Sequence, residues 1–229
     1  MTNTRRLEAE GDDERAVSLR LSDCVRDDPP NPIASLLIFK PTGAHDDRLI
    51  LPVPGFVRRA LETLAAAAGN RRITPGTVAL WAVARGLDLL GSLPEVQTIC
   101  AARAALLQLG SESIRQLDHW DFHLAARFGT PTRLFLRSVS PNDLRRCTAM
   151  ATGVGLSTPG LGAVAVVVGL VDCELPGELP RLLLIELQEL YRGLRERAAF
   201  ADELRGRASE APQLERRRVS WADVEQGNY

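Results

Sequence analysis

The chain has 229 residues and a mass of 25.0 kDa, with 45% hydrophobic and 25% charged residues, enough for one large domain or two small ones. Its 28 basic residues against 29 acidic ones remove any attraction of the whole chain to nucleic acid or an anionic membrane, so such a partner needs a local basic patch. The most apolar stretch, Gly155 to Leu170, is broken by glycines and a proline and falls short of the roughly 18–20 residues of a membrane span.

Met1 to Glu14 alternates arginine with acidic residues and lacks the apolar segment of a secretory signal, so an intracellular location, cytoplasmic or nucleoid/nuclear, is expected. Residues 1–32 are expected as a flexible charged arm in which only Ala16 to Leu21 alternates like a strand. The folded core is expected over 33–207. It opens with Ala34 to Phe39 (ASLLIF) as a strand closed by the turn residues Pro41, Thr42 and Gly43.

Arg48 to Val53 (RLILPV) alternates as a further strand, and Pro54 then starts a helix with Val57, Leu61, Leu64, Ala65 and Ala68 on one face. Gly69-Asn70 stops it. Thr74, Pro75 and Gly76 open the next helix, with Thr74 as N-cap and Pro75 at the first helical position, and the pattern runs to Gly91. Pro94 to Phe128 reads as helical in two pieces around Gly110-Ser111. Arg133 to Arg137 (RLFLR) is again strand-like, Ser140-Pro141-Asn142-Asp143 starts a helix that Gly153 to Gly155 ends, and Thr158-Pro159-Gly160 begins another apolar run to Asp172.

Catalytic signatures are absent: there is no GxSxG elbow, no GxxxxGK[ST] loop and no GxGxxG, and the chain is read as non-enzymatic and without a cofactor. Cys24, Cys100, Cys147 and Cys173 lie tens of residues apart, as reduced, mostly buried thiols do and zinc ligands do not. His119 and His123 share a helix face at a spacing that suits a metal. Trp120 stands where a zincin requires Glu and no third ligand is evident, so no metal site is assigned.

Two segments resemble each other. Arg48-Leu49-Ile50-Leu51 matches Arg133-Leu134-Phe135-Leu136, Pro54 matches Pro141, Arg58-Arg59 match Arg145-Arg146, and Thr74-Pro75-Gly76 match Thr158-Pro159-Gly160, at offsets of 85, 87, 87 and 84. Self-similarity of this kind points to a duplicated strand-helix-helix unit, here over 47–94 and 132–180. The expected fold class is therefore mainly α with short β-strands, the duplicated units being followed by a long C-terminal helix.

The first unit, LILPVPGFVRRALETLAAAAG followed by TPGTVALWAVARGLDLL, resembles a ribbon-helix-helix DNA-binding unit over about Asp47 to Leu90. The resemblance implies that two strands pair into an antiparallel ribbon for the major groove while the N-terminus of each second helix holds a phosphate. One chain supplying both strands makes it a tandem version of a normally dimeric fold. Carried onto this sequence, Arg48, Arg133 and Arg137 lie on the ribbon, and Thr74, Gly76, Thr158 and Gly160 lie at phosphates, with Arg71 and Arg72 beside the first. Ile50, Pro52 and Phe135, also outward, depart from residues that read base edges. Between Ala44 and Pro94 arginines exceed acids by two, and Lys40 is the lone lysine of the whole chain.

From about residue 180 to 207, Leu183, Leu187, Leu190, Leu194, Ala201 and Leu204 recur near heptad spacing, as a helix that either caps the core or makes an oligomer contact. Residues 208–229 are expected as a flexible tail. Within it Arg218-Val219-Ser220-Trp221 resembles the motif by which regulatory proteins dock on type-1 protein phosphatase, implying Arg218, Val219 and Trp221 as partner-binding residues that add as a strand. Arg217-Arg218-Val219-Ser220 also resembles a basophilic kinase site, and a phosphate on Ser220 opposes docking. Duplex DNA binding by a repressor or nucleoprotein-complex accessory factor is thus the first functional expectation. The alternative is a structural or assembly protein, cellular or viral, that self-associates or binds host partners through apolar surfaces and this tail.

Overall fold

The computed structural model describes residues 32–41, 43, 48–108, 114, 117, 132–171 and 173–225, with Pro32, Ile33 and residues from 210 onward described by backbone alone. The described elements run α1 (Pro32–Ile38), β1 (Arg48–Val53), α2 (Gly55–Ala67), α3 (Pro75–Ser92), α4 (Pro94–Gln108), β2 (Thr132–Arg137), α5 (Pro141–Val154), α6 (Thr158–Gly169) and α7 (Leu179–Glu225). The protein is mainly helical, with one small antiparallel sheet among these residues.

β1 and β2 pair across more than 80 residues of sequence, with Arg48 opposite Arg137, Leu49 opposite Leu136, Ile50 opposite Phe135, Leu51 opposite Leu134, Pro52 opposite Arg133 and Val53 opposite Thr132. Alternation does the sorting, since a strand sends successive side chains to opposite faces. Leu49, Leu51, Val53 and Leu136 are buried beneath the sheet, while Arg48, Ile50, Pro52, Arg133, Phe135 and Arg137 stand outward. Pro52 is tolerated because a two-stranded ribbon has only edges.

Each strand leads into two helices, and each lies over the second helix of the other half: β1 over α6, β2 over α3. Gly162 of α6 makes this close approach possible, since a Cβ there would stand 2.7 Å from Cδ2 of Leu51. α3 and α6 cross beneath the ribbon with their backbones in contact. A Cβ on Gly86 would stand 1.9 Å from the carbonyl oxygen of Ala165, and one on Gly169 would stand 1.9 Å from the carbonyl oxygen of Ala82. The contact is reciprocal, each helix offering one Ala-x-x-x-Gly face to the other. α6 carries only apolar and small residues, and Leu161 to Gly169 are all buried. Arg85 reaches from α3 to the end of α6, donating to the carbonyls of Gly169 at 3.2 Å and Val171 at 2.7 Å. It satisfies two carbonyls that a helix end leaves without partners and places a cation at the negative end of the dipole. Its guanidinium carbon also sits 5.6 Å from the centroid of the Trp81 ring.

α7 packs along α4, and Leu183, Leu187, Leu190, Leu194, Ala201 and Leu204 are all buried within the chain. Tyr191 donates to Oε1 of Glu95 at 2.8 Å, and buried Arg197 donates to the Leu117 carbonyl at 3.1 Å.

Three sequence expectations need correction. Ala34 to Phe39 is not a strand: Ala34 to Ile38 belong to α1 and Phe39 follows it, because a short apolar run has no decisive period, Pro32 is well placed in a first turn, and no strand lies beside it among the described residues. Only Leu36 of its central residues is buried; Leu37 and Ile38 are exposed. The C-terminal helix does not stop at 207 but continues as helical backbone to Glu225, through Pro212, on a run rich in Glu, Arg, Ala and Leu. Arg218, Val219 and Trp221 therefore sit on helical backbone rather than an extended tail. The third concerns the start of α6 and is taken up with the site below. The strand expected at Ala16 to Leu21 and the pair His119 and His123 lie outside the described residues.

Gly86→Ala and Gly169→Ala are each expected to destabilise the protein by about 3 kcal/mol, the upper end of the range for overpacking, because the neighbour that must move is backbone. Gly206→Ala, in an exposed turn of α7 with nothing within 4 Å, is expected to stabilise by about 0.5–1 kcal/mol. Urea unfolding midpoints of the three variants check both signs.

Candidate nucleic-acid interface on the ribbon face

The outward face of the ribbon is an apolar centre held between arginines. Ile50 and Phe135, directly opposed, are 46% and 61% exposed, which is unusual for large apolar side chains in the middle of a structured element. At one end Arg48 faces Arg137, and at the other Pro52 faces Arg133. Like charges directly opposite each other on a sheet repel, so the Arg48–Arg137 pair costs stability unless an anion lies between them.

Tracing the other arginines sharpens this patch. Arg58 pairs with Glu62 at 3.0 Å, Arg59 with Glu178 at 3.9 Å, Arg146 with Asp88 and Asp143, and Arg85 is committed to the α6 terminus. Among the described residues Arg48, Arg71, Arg72, Arg133 and Arg137 enter no ion pair and are exposed, as are Arg145, Arg181 and Arg195 on the helices, so the ribbon is distinguished by bringing three such arginines onto one small face. Arg71 and Arg72 lie in the turn before α3, where Asn70 Oδ1 accepts from the Arg72 N–H at 3.0 Å.

Beside the ribbon lies the start of α3, where Pro75 shares a groove with Arg133 and Phe135, and the first turn of α6 is its counterpart in the other half. Thr74 caps α3 as its sequence suggests: its hydroxyl accepts from the Thr77 N–H at 3.2 Å, and Pro75 occupies the first helical position. In α6 the cap is Ser157, whose hydroxyl accepts from the Gly160 N–H at 3.1 Å. The expected match of Thr158 to Thr74 is thus shifted by one residue: Ser157 is the counterpart, Thr158 begins the helix, and the Gly160 N–H is already used. A serine beside a threonine at a helix start makes either a reasonable cap, and only the position of the turn decides between them. The first-turn donors left without a described partner are the N–H groups of Gly76 in α3 and Thr158 in α6.

A groove of about 240 Å³ joins the two parts of the site on one side of the ribbon. It is lined by Arg58 and Glu62 of α2, Pro75 at the start of α3, and Arg133 and Phe135 of β2. The geometry suits a polyanion lying across the ribbon: guanidiniums on the strand face, an apolar platform between them, and the N-terminus of α3 beside them.

The described thiols do not form a second site. Burial, reinforced by the carboxylate of Asp143, pushes the Cys147 thiol up to about 11, and its Sγ lies 3.5 Å from the Thr158 carbonyl. Burial also raises the Cys100 thiol, opposed by Arg103. Asp143 is itself raised by burial, with Arg146 pulling it down and Asp88 pushing it up. Among the described residues no three of His, Cys, Asp or Glu converge as metal ligands, and no single helix is long and apolar enough to cross a membrane. No protein family, no curated protein and no solved structure matches the chain.

Thr74→Ala and Ser157→Ala are each expected to cost about 1 kcal/mol in chemical denaturation, whereas Thr158→Ala, losing only an exposed 3.4 Å contact with Thr148, should stay within about 0.5 kcal/mol. Cys147, neutral until the pH approaches 11, should resist a maleimide at pH 8 in the folded chain and react once unfolded. Because its folded value lies above the ordinary 9.0, its contribution to stability is complete below pH 9 and falls as pH rises from 9 through 11. Mass-spectrometric mapping of labelled cysteines and unfolding curves against pH check these two outcomes.

Proposed function

We propose that the chain is a non-enzymatic DNA-binding protein, a repressor or nucleoprotein-complex accessory factor, built as a single-chain version of the ribbon-helix-helix fold. The observation that carries the reading is the intrachain antiparallel ribbon, whose outward face bears Arg48, Arg133 and Arg137. A two-stranded ribbon has the width to enter a major groove, and the helix N-terminus beside it suits a backbone phosphate.

Three relations support reading the two halves as copies of one unit. The offset of 85 that aligns Arg48 with Arg133 carries the pair Arg48–Arg137 onto the pair Arg133–Pro52, so it preserves the ribbon register. An offset of 83 carries the cap Thr74 onto Ser157 and the contact Ala82/Gly86 onto Ala165/Gly169. Each strand also covers the other half's second helix, as in two entwined subunits.

A second reading, an assembly or interaction protein, rests on Ile50 and Phe135 at the centre of the ribbon, whose exposed apolar surface a protein partner would bury. In that reading a second copy or another protein covers the ribbon face. Phosphatase docking through Val219 and Trp221 requires helical backbone at the end of α7 to unwind into a strand, and Pro212 weakens that end.

Binding to random-sequence duplex DNA is expected to fall by orders of magnitude between about 50 and 200 mM salt. Arg133→Ala with Arg137→Ala should weaken it and flatten the salt dependence by about one unit of slope for each guanidinium that lies on a phosphate. Fluorescence anisotropy across the salt range decides. Unchanged affinity in the double variant removes the ribbon from the interface, and no binding at 50 mM together with concentration-dependent assembly in light scattering favours the interaction reading.

A further inference from the structure

Resting on the DNA-binding reading, we propose that the ribbon recognises a non-palindromic duplex site, read by one chain without a second copy. A ribbon made from two identical strands presents the same residues at both ends, so its site mirrors the protein's twofold symmetry. Here the relation that preserves the register exchanges Arg48 with Arg133, Ile50 with Phe135 and Pro52 with Arg137. The first exchange keeps a guanidinium and the second keeps an apolar side chain. The third replaces a forked five-donor cation by a pyrrolidine ring without a donor.

The two ends of the face therefore differ in chemistry. Arg48 and Arg137 stand opposite each other at one end, whereas Arg133 stands alone against Pro52 at the other. An arginine on the major-groove edge of guanine donates two hydrogen bonds to O6 and N7, and an apolar side chain meets the thymine methyl. The doubly basic end thus selects guanine in one half-site, the exposed Ile50 and Phe135 favour thymine near the centre, and the Pro52 end selects more weakly. The helix starts repeat the difference. α3 offers its donor at Gly76, behind Pro75, while α6 offers one at Thr158, ahead of Pro159, so the phosphate positions are not related by an unbroken twofold either.

The test is selection of the full chain on a randomised duplex library at low salt, followed by stoichiometry on the selected duplex. The expected result is one chain per site and a non-palindromic sequence with stronger guanine preference in one half. Arg137→Ala should weaken binding to that duplex about tenfold or more and erase preference in that half alone. Pro52→Arg, a change at an exposed position, restores two guanidiniums to each end and should retain binding while shifting selection toward a near-palindrome; Arg48→Ala provides a second variant on the doubly basic end. A palindromic selected site, two chains per site, or loss of preference in both halves on Arg137→Ala overturns the inference while leaving DNA binding standing. Absence of salt-sensitive binding to any duplex removes the underlying reading and this inference with it.

Discussion

The contact between α3 and α6 is the constraint from which the rest of the structure follows. Two helices whose backbones touch, carbonyl against glycine at Ala165/Gly86 and Ala82/Gly169, leave no latitude in their separation. Their spacing fixes where β1 and β2 lie above them, because Leu49, Leu51, Val53 and Leu136 fill the layer between ribbon and helices. Two strands alone are marginal in water, and this pair is held as the roof of that crossing, with α2 also against β2. The Arg85 cap on α6 adds to the same joint, fastening the end of one central helix to the flank of the other.

That arrangement also accounts for how a chain with balanced charge presents a basic face. Arg58, Arg59, Arg146, Arg192, Arg205 and Arg207 are committed to carboxylates, and Arg85 to the α6 carbonyls. Alternation along the two strands sends Arg48, Arg133 and Arg137 outward on one surface, where no described carboxylate pairs with them. A basic patch thus arises from where charge is not neutralised rather than from an excess of it, and net charge could not have revealed it.

Much of this was legible in the residues. The period of two in RLILPV and RLFLR identified both strands and the face each would expose, and the likeness of the two segments suggested that they lie side by side. Thr74 before Pro75 marked a helix start to the residue. What failed has physical causes. ASLLIF carries no period strong enough to separate strand from helix, and its environment made it helical. Ser157 and Thr158 are both competent caps, so the sequence left the register of α6 open by one residue. Gly86 and Gly169 were missed because only the three-dimensional crossing shows what each must avoid. The signal was present, however, as Ala-x-x-x-Gly at matching places in two apolar helices. Nothing in the residues around Arg85 marks it as the group that closes the end of α6, since its acceptors lie more than 80 residues away.

The outward face poses the remaining problem, because its composition is unfavourable in water. Ile50 and Phe135 expose apolar surface at the centre, and Arg48 faces Arg137 at the edge. Either feature alone has an ordinary explanation: a protein partner for the apolar pair, solvent screening for the arginines. Together they restrict the occupant. An apolar protein surface that buried Ile50 and Phe135 would also desolvate opposed guanidiniums that have no partner among the described residues, at a cost that grows as water leaves. A partner carrying anions at the edges and flat, methyl-bearing surface at the centre relieves both. Duplex DNA offers that combination, with phosphates and guanine acceptors for the arginines and thymine methyls for the apolar pair, and this is why the proposed reading takes the apolar centre as part of the recognition surface rather than as evidence against it.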